Sequence, residues 1–151
     1  MAVSFKIINK LLVCMYFFLL FFAVFGIRIW PVFYFRVSHG YNLDVFKNYT
    51  GLKNFHYGLD HFMKYDWWLN IILFMPFPFC LRYISPLITI GKLLLIGLMT
   101  SVSIELLQYV FDLGLADIND VISNSLGVIM GVLIMMSASS IVESRKREGR
   151  R

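Results

Sequence analysis

The amino-acid sequence predicts an all-α polytopic membrane protein with four transmembrane helices. Three observations predict it. Hydrophobic residues fill 59% of the 151 positions and charged ones only 15%, leaving more apolar surface than a soluble core of this size can bury. Four apolar stretches each approach the roughly 20 residues that a membrane helix needs. The cations Lys6, Lys10, Arg28, Arg82 and Lys92 flank those stretches or lie near their ends, as membrane topology requires. Residues 1–151 read as a single domain, closed by a basic tail over residues 143–151.

The first span is placed at about residues 11–30. Leu11 to Ile27 carries no charge, Lys6 and Lys10 precede it, and Arg28 and Trp30 stand at its far end, as snorkelling and interfacial residues do. A basic start and an apolar core also make a signal peptide. The length, the density of Phe and the lack of a small-x-small site predict an uncleaved anchor instead. The loop 31–66 mixes Tyr, Phe and His with Lys and Asp, a composition suited to the headgroup level. His39, His56 and His61 are 17 and then 5 residues apart, which fits no metal-binding pattern and reads as surface histidine.

The second span, 67–84, is entered through Trp67-Trp68 and left past Arg82. Pro76 and Pro78 inside it predict a kink, since each removes a backbone donor. The third span is placed at 87–111 and the fourth at 118–142. In this arrangement Lys6, Lys10, Arg82, Lys92 and the tail residues Arg145, Lys146, Arg147, Arg150 and Arg151 fall on one side. The connection between the last two spans holds Asp112, Asp117 and Asp120 with no Lys or Arg. The positive-inside rule then makes both termini cytoplasmic and the 31–66 loop external, in a multi-pass protein of the cell membrane. Arg36, Lys47, Lys53 and Lys64 in the loop run against that contrast.

The formal charge of +5 sits mostly where anionic headgroups attract cations, so the expected partners are membrane lipids and not nucleic acid. Cys14 and Cys80 lie in apolar stretches, away from any His. They read as packing residues, without a disulfide or a zinc site. The sequence has no Gly-rich phosphate loop and no nucleophile elbow, so no metal or cofactor is expected. Asn48-Tyr49-Thr50 matches a glycosylation acceptor, which carries meaning only in a eukaryotic host.

The informative residues lie in the last two spans. Ser101, Glu105, Gln108 and Asp112 are spaced four, three and four; Asp117, Asp120, Asn124, Gly127 and Gly131 are spaced three, four, three and four. Each set occupies one helix face. With Gly114 turning the chain, the two faces oppose each other, and Glu105 and Asn124 each lie about 10 Å below the connection at 1.5 Å per residue. Asn70 enters the second span at a similar level, and Arg28 ends the first. One polar cluster of Asn70, Glu105, Gln108, Asp117, Asp120 and Asn124 with Arg28 is therefore expected. Each member also has a plainer reading. Asp117 suits a helix N-cap and Asp120 a first turn. Gly127 and Gly131 suit close helix packing, and Gln108 and Asn124 suit interhelical hydrogen bonds. Glu105 is hardest to read as packing, because an ionisable group within a span costs at least a few kcal/mol.

These residues resemble the VanZ-like family of small bacterial membrane proteins. The long block Glu105-x-x-Gln108 followed by Asp117-x-x-Asp120-x-x-x-Asn124-x-x-Gly127-x-x-x-Gly131 carries most of the likeness. Asn70 followed by Phe74-Met75-Pro76, and Asn42-Leu43-x-x-Phe46-Lys47, add to it. Gly114 stands where the family has Arg, and Val45 where it has Pro. Either Arg28 or Arg36 replaces the lost counter-ion, or part of the site is gone. The resemblance implies four spans and an association with reduced susceptibility to lipoglycopeptides such as teicoplanin.

The leading expectation is a non-enzymatic envelope protein that binds or excludes an amphiphile, either a lipid-linked cell-wall precursor or a lipoglycopeptide. A hydrolase or transferase acting on a lipid headgroup is the first alternative, with Glu105 as base and Asp117 or Asp120 positioning a cation or hydroxyl. A small transporter or assembly subunit is the second, a homo-oligomer formed through Gly127 and Gly131.

Overall fold

Helix α1 covers Ala2–Phe21 and runs into a π-helical turn, Phe22–Gly26. Strand β1 is Gly40–Asn42, followed by α2 (Leu59–Phe74), α3 (Phe77–Ile84), α4 (Ile90–Val110), β2 (Leu115–Asp117) and α5 (Ile118–Glu148). This computed structural model describes residues 2–26, 40–45 and 59–149, with side chains for 6–26, 40–45 and 67–149. Arg28, Arg36, His39 and His56 lie outside the described residues, as do the side chains of His61 and Asp66. Four helical stretches are long and apolar enough to cross a membrane: Lys6–Gly26, Trp67–Ile84, Ile90–Val110 and Ile118–Glu148. The expected all-α class holds, with one short strand pair added. By its contacts the chain divides into two units, Met1–Asn42 with Ser103–Asp117 and Leu43–Val102 with Ile118–Arg151.

In the first unit, α1 leaves Ile7, Leu11, Leu12, Met15, Phe18 and Phe21 exposed, a surface that belongs in hydrocarbon. Strands β1 and β2 pair in parallel, with Gly40 opposite Leu115, Tyr41 opposite Ala116 and Asn42 opposite Asp117. A parallel pair cannot be closed by a tight turn, and the intervening sequence is long enough to contain α2, α3 and α4. Gly40 takes a φ of 154°, and a Cβ there would stand 3.2 Å from Leu115 Cδ1. Both are reasons for glycine.

The end of α4 is closed by a Schellman motif. Leu113 N–H donates to the Gln108 carbonyl at 2.9 Å and Asp112 N–H to the Tyr109 carbonyl at 3.3 Å, satisfying carbonyls the helix leaves open. Asp112 occupies the left-handed position at φ 54°, where glycine is usual and Asp is tolerated. Asp112 is exposed, beyond the helix. It does not continue the stripe of Ser101, Glu105 and Gln108 as its spacing suggested.

In the second unit, the second apolar stretch has the expected kink, a two-residue turn at Met75 and Pro76 that divides it into α2 and α3. Pro76 and Pro78 lack the N–H groups that would bond the carbonyls of Ile72 and Phe74. Met75 N–H still closes onto Ile71 at 3.0 Å, and Phe79 and Cys80 N–H both turn to the Pro76 carbonyl at 3.1 Å. That pair begins α3. Arg82, in its last turn, donates Nη1 to the carbonyls of Pro86 and Ile88, and Thr89 Oγ1 accepts Lys92 N–H at 3.4 Å as the N-cap of α4.

Helix α5 closes this unit through its glycines. A Cβ on Gly127 would collide with the Ile71 carbonyl oxygen and stand 2.9 Å from Phe74 Cβ; one on Gly131 would collide with the Met75 carbonyl oxygen and stand 2.7 Å from Pro78 Cγ. The glycine face packs against α2 and the start of α3 in the same chain, because only glycine admits backbone this close. Ile88, Leu93 and Val132 form a small buried cluster below, with Leu81, Ile90 and Met135 against it. Farther along α5, Ser137, Ser139, Ser140 and Ser144 donate to carbonyls four residues earlier at 2.9 to 3.1 Å. Each hydroxyl is thus satisfied within the helix and can face lipid.

Candidate functional site

Helix α4 inverts the pattern of a soluble helix. Its buried positions include Ser101, Glu105 and Gln108, at 0%, 6% and 2% exposure, while Leu106, Leu107, Tyr109 and Val110 are exposed. Buried polar groups need partners, and the two units supply them separately.

In the first unit, Glu105 Oε2 accepts the backbone N–H of Asp117 at 2.9 Å. Asp117 Oδ1 accepts Asn42 Nδ2 at 3.0 Å, a bond that follows from the strand register placing Asn42 opposite Asp117. Extended backbone makes this possible. Three residues of β2 at about 3.3 Å each return some 10 Å along the end of α4, enough to span the five residues from Val110 back to Glu105 at about 1.5 Å each. Gln108 Nε2 donates to the Val24 carbonyl in the π-helical turn at 3.3 Å. Its Oε1 is buried with no hydrogen-bond partner among the described residues. Tyr41 and Tyr109 meet edge to face at 6.4 Å. The set is rich in carboxylate and amide oxygens, which suits it to accept hydrogen bonds from hydroxyl, amide or ammonium groups.

In the second unit, Asn70 Nδ2 donates to Asp120 Oδ1 at 2.9 Å and to Ser123 Oγ at 3.3 Å. Ser123 Oγ in turn donates to the Asp120 carbonyl at 3.1 Å. Asn119 Nδ2 reaches the Asp44 carbonyl at 3.3 Å. Asn124 Nδ2 donates to Ser101 Oγ at 3.0 Å, and Asn124 Oδ1 is buried without a partner among the described residues.

Of the residues singled out by spacing, Glu105 and Asp117 are thus in one hydrogen-bonded set and Asn70 and Asp120 in another. Asn124 bonds Ser101. Arg28 lies outside the described residues. Spacing missed Asn42, Ser123 and Asn119 as members. Ser123 was findable, three residues after Asp120 on the same face. Asn42 lay in a segment already noted for its resemblance, but nothing local marked its partner 75 residues away.

Comparison with protein-family models matches VanZ/LLP1 over residues 9–141. The chain belongs to the VanZ/LLP1 family. The match includes every hydrogen bond of both polar sets, so these are arrangements of a VanZ/LLP1 domain and not of an appended segment. Together with its four apolar helices, VanZ/LLP1 membership makes this a membrane protein. Comparisons with curated proteins and with solved structures found no match.

Proposed function

We propose that this VanZ/LLP1 protein is a multi-pass protein of the bacterial cell membrane, with both termini cytoplasmic and residues 31–66 external. Its polar residues bind or exclude an envelope amphiphile, either a lipid-linked cell-wall precursor or a lipoglycopeptide. The result is lowered susceptibility to drugs of the teicoplanin type, without catalysis.

The observation carrying this reading is Glu105. It is 6% exposed on an apolar helix, and it accepts a hydrogen bond from the Asp117 backbone. A carboxylate in such a place costs at least a few kcal/mol, more than helix packing alone requires, since a Gln at that position would serve packing equally. Amides and carboxylates around it match the hydroxyls, amides and ammonium groups that glycopeptides and cell-wall precursors present.

The test is a deletion strain complemented with wild type, Glu105→Ala or Asp117→Ala, scored for teicoplanin susceptibility, with drug binding measured on the purified proteins. Wild type is expected to restore tolerance and binding, and both variants to lose them at unchanged membrane abundance. Equal tolerance and binding in all three would end the proposal. Turnover of a labelled envelope lipid by the purified protein would replace binding with catalysis.

A further inference from the structure

A groove of about 520 Å³ lies between α3 and α5 in the second unit, lined by Phe79, Met135, Ala138, Ser139, Val142, Glu143 and Lys146. Six of these are on α5, at successive spacings of three, one, three, one and three, which is one helix face. Ala138 and Ser139 make its floor shallow, and Phe79 stands as a wall. Its polar groups are largely neutralised. Ser139 Oγ is bonded to the Met135 carbonyl at 2.9 Å, and Glu143 is paired with Arg147 at 2.8 Å. Lys146 is different: it is exposed and has no hydrogen bond or ion pair among the described residues.

The dimensions fit a lipid. From Met135 to Val142 the apolar part of the face runs about 10 Å at 1.5 Å per residue, the length of the acyl-chain segment that lies next to a headgroup, with Glu143 and Lys146 beyond it. The 31 residues of α5 extend about 46 Å. Its last turns therefore stand where hydrocarbon gives way to headgroups, and Arg145, Lys146 and Arg147 occupy that level. An apolar trough ending in an unpaired cation is complementary to an acyl chain ending in a phosphate.

We infer that this groove seats one anionic phospholipid, its acyl chain along Met135, Ala138 and Val142 against Phe79, and its phosphate on Lys146. The site is separate from the glycopeptide reading and does not rest on it.

The test reconstitutes the full chain in vesicles of equal parts phosphatidylglycerol and phosphatidylcholine and reads retained lipid by native mass spectrometry after mild detergent extraction. Wild type is expected to retain one phosphatidylglycerol in preference to phosphatidylcholine. Lys146→Gln should reduce that retention about tenfold, the equivalent of roughly 1.4 kcal/mol, through loss of the charge-assisted contact to the phosphate. Ala138→Trp and, independently, Ser139→Phe fill the groove and should reduce it at least as much, at unchanged melting temperature. Arg145→Gln removes a neighbouring cation that does not line the groove and should leave retention near wild type. Equal retention of the two lipids, or retention unaffected by both groove-filling variants, would overturn the site. So would an equal loss in Arg145→Gln and Lys146→Gln, which would mean diffuse surface attraction.

Discussion

Replacing Gly131 with Ala adds one methyl group and should destabilise the protein, although alanine is the better helix former. A Cβ at this position stands 2.7 Å from Pro78 Cγ, where ordinary contact begins at 3.4 Å, so about 0.7 Å of separation is missing, and it also collides with the Met75 carbonyl oxygen. A flexible side chain would move aside. Here the obstacles are backbone and a proline ring, so α5 itself must shift. Overpacking of this kind costs about 1–3 kcal/mol, and a rigid obstacle places it near 3. The gain in helix propensity from Gly to Ala returns about 1 kcal/mol. The net loss is about 2 kcal/mol, roughly a thirtyfold change in the folded-to-unfolded ratio. Cys80 is buried and Cys14 exposed, so in a Cys14→Ser background a thiol-reactive dye reports unfolding through Cys80 alone. Gly91→Ala is the control, because nothing lies within 4 Å of a Cβ there; it should be neutral or stabilising. If Gly131→Ala matched Gly91→Ala in that melt, the close approach of α5 to the α2–α3 break would be wrong.

Glu105→Ala removes the acceptor of the Asp117 amide and should speed its hydrogen exchange at least fivefold, the equivalent of about 1 kcal/mol for one lost bond. Glu105→Gln keeps a carbonyl acceptor and should change exchange far less; similar exchange in both variants would refute the bond. At Asp112, the left-handed backbone makes Asp112→Gly nearly neutral, since relief of strain is offset by the freer unfolded chain, and Asp112→Val destabilising by about 1–3 kcal/mol, read on a thermal melt followed by circular dichroism. A rise in stability with Val would contradict the φ of 54°.

The four apolar helices and the polar face of α4 were legible in the sequence because each rests on a property of neighbouring residues. Hydrophobic length marks a helix able to cross a membrane, and a period near 3.6 places Ser101, Glu105 and Gln108 on one face before any partner is known. The prolines announced a disturbance at residues 76–78 for the same local reason, the missing donors. What the sequence did not determine was where each polar face finds its complement. The β1–β2 pair uses three residues a side, too few to carry a two-residue period, and it joins positions 75 apart. Yet that pair sets the partner of Asp117, and the return of β2 beside α4 sets the partner of Glu105. Asn124 likewise settles on Ser101 only once the connection between α4 and α5 has its folded length. Local pattern fixes which residues must be buried; the tertiary structure decides which buried donor meets which acceptor, because that choice depends on register between distant segments.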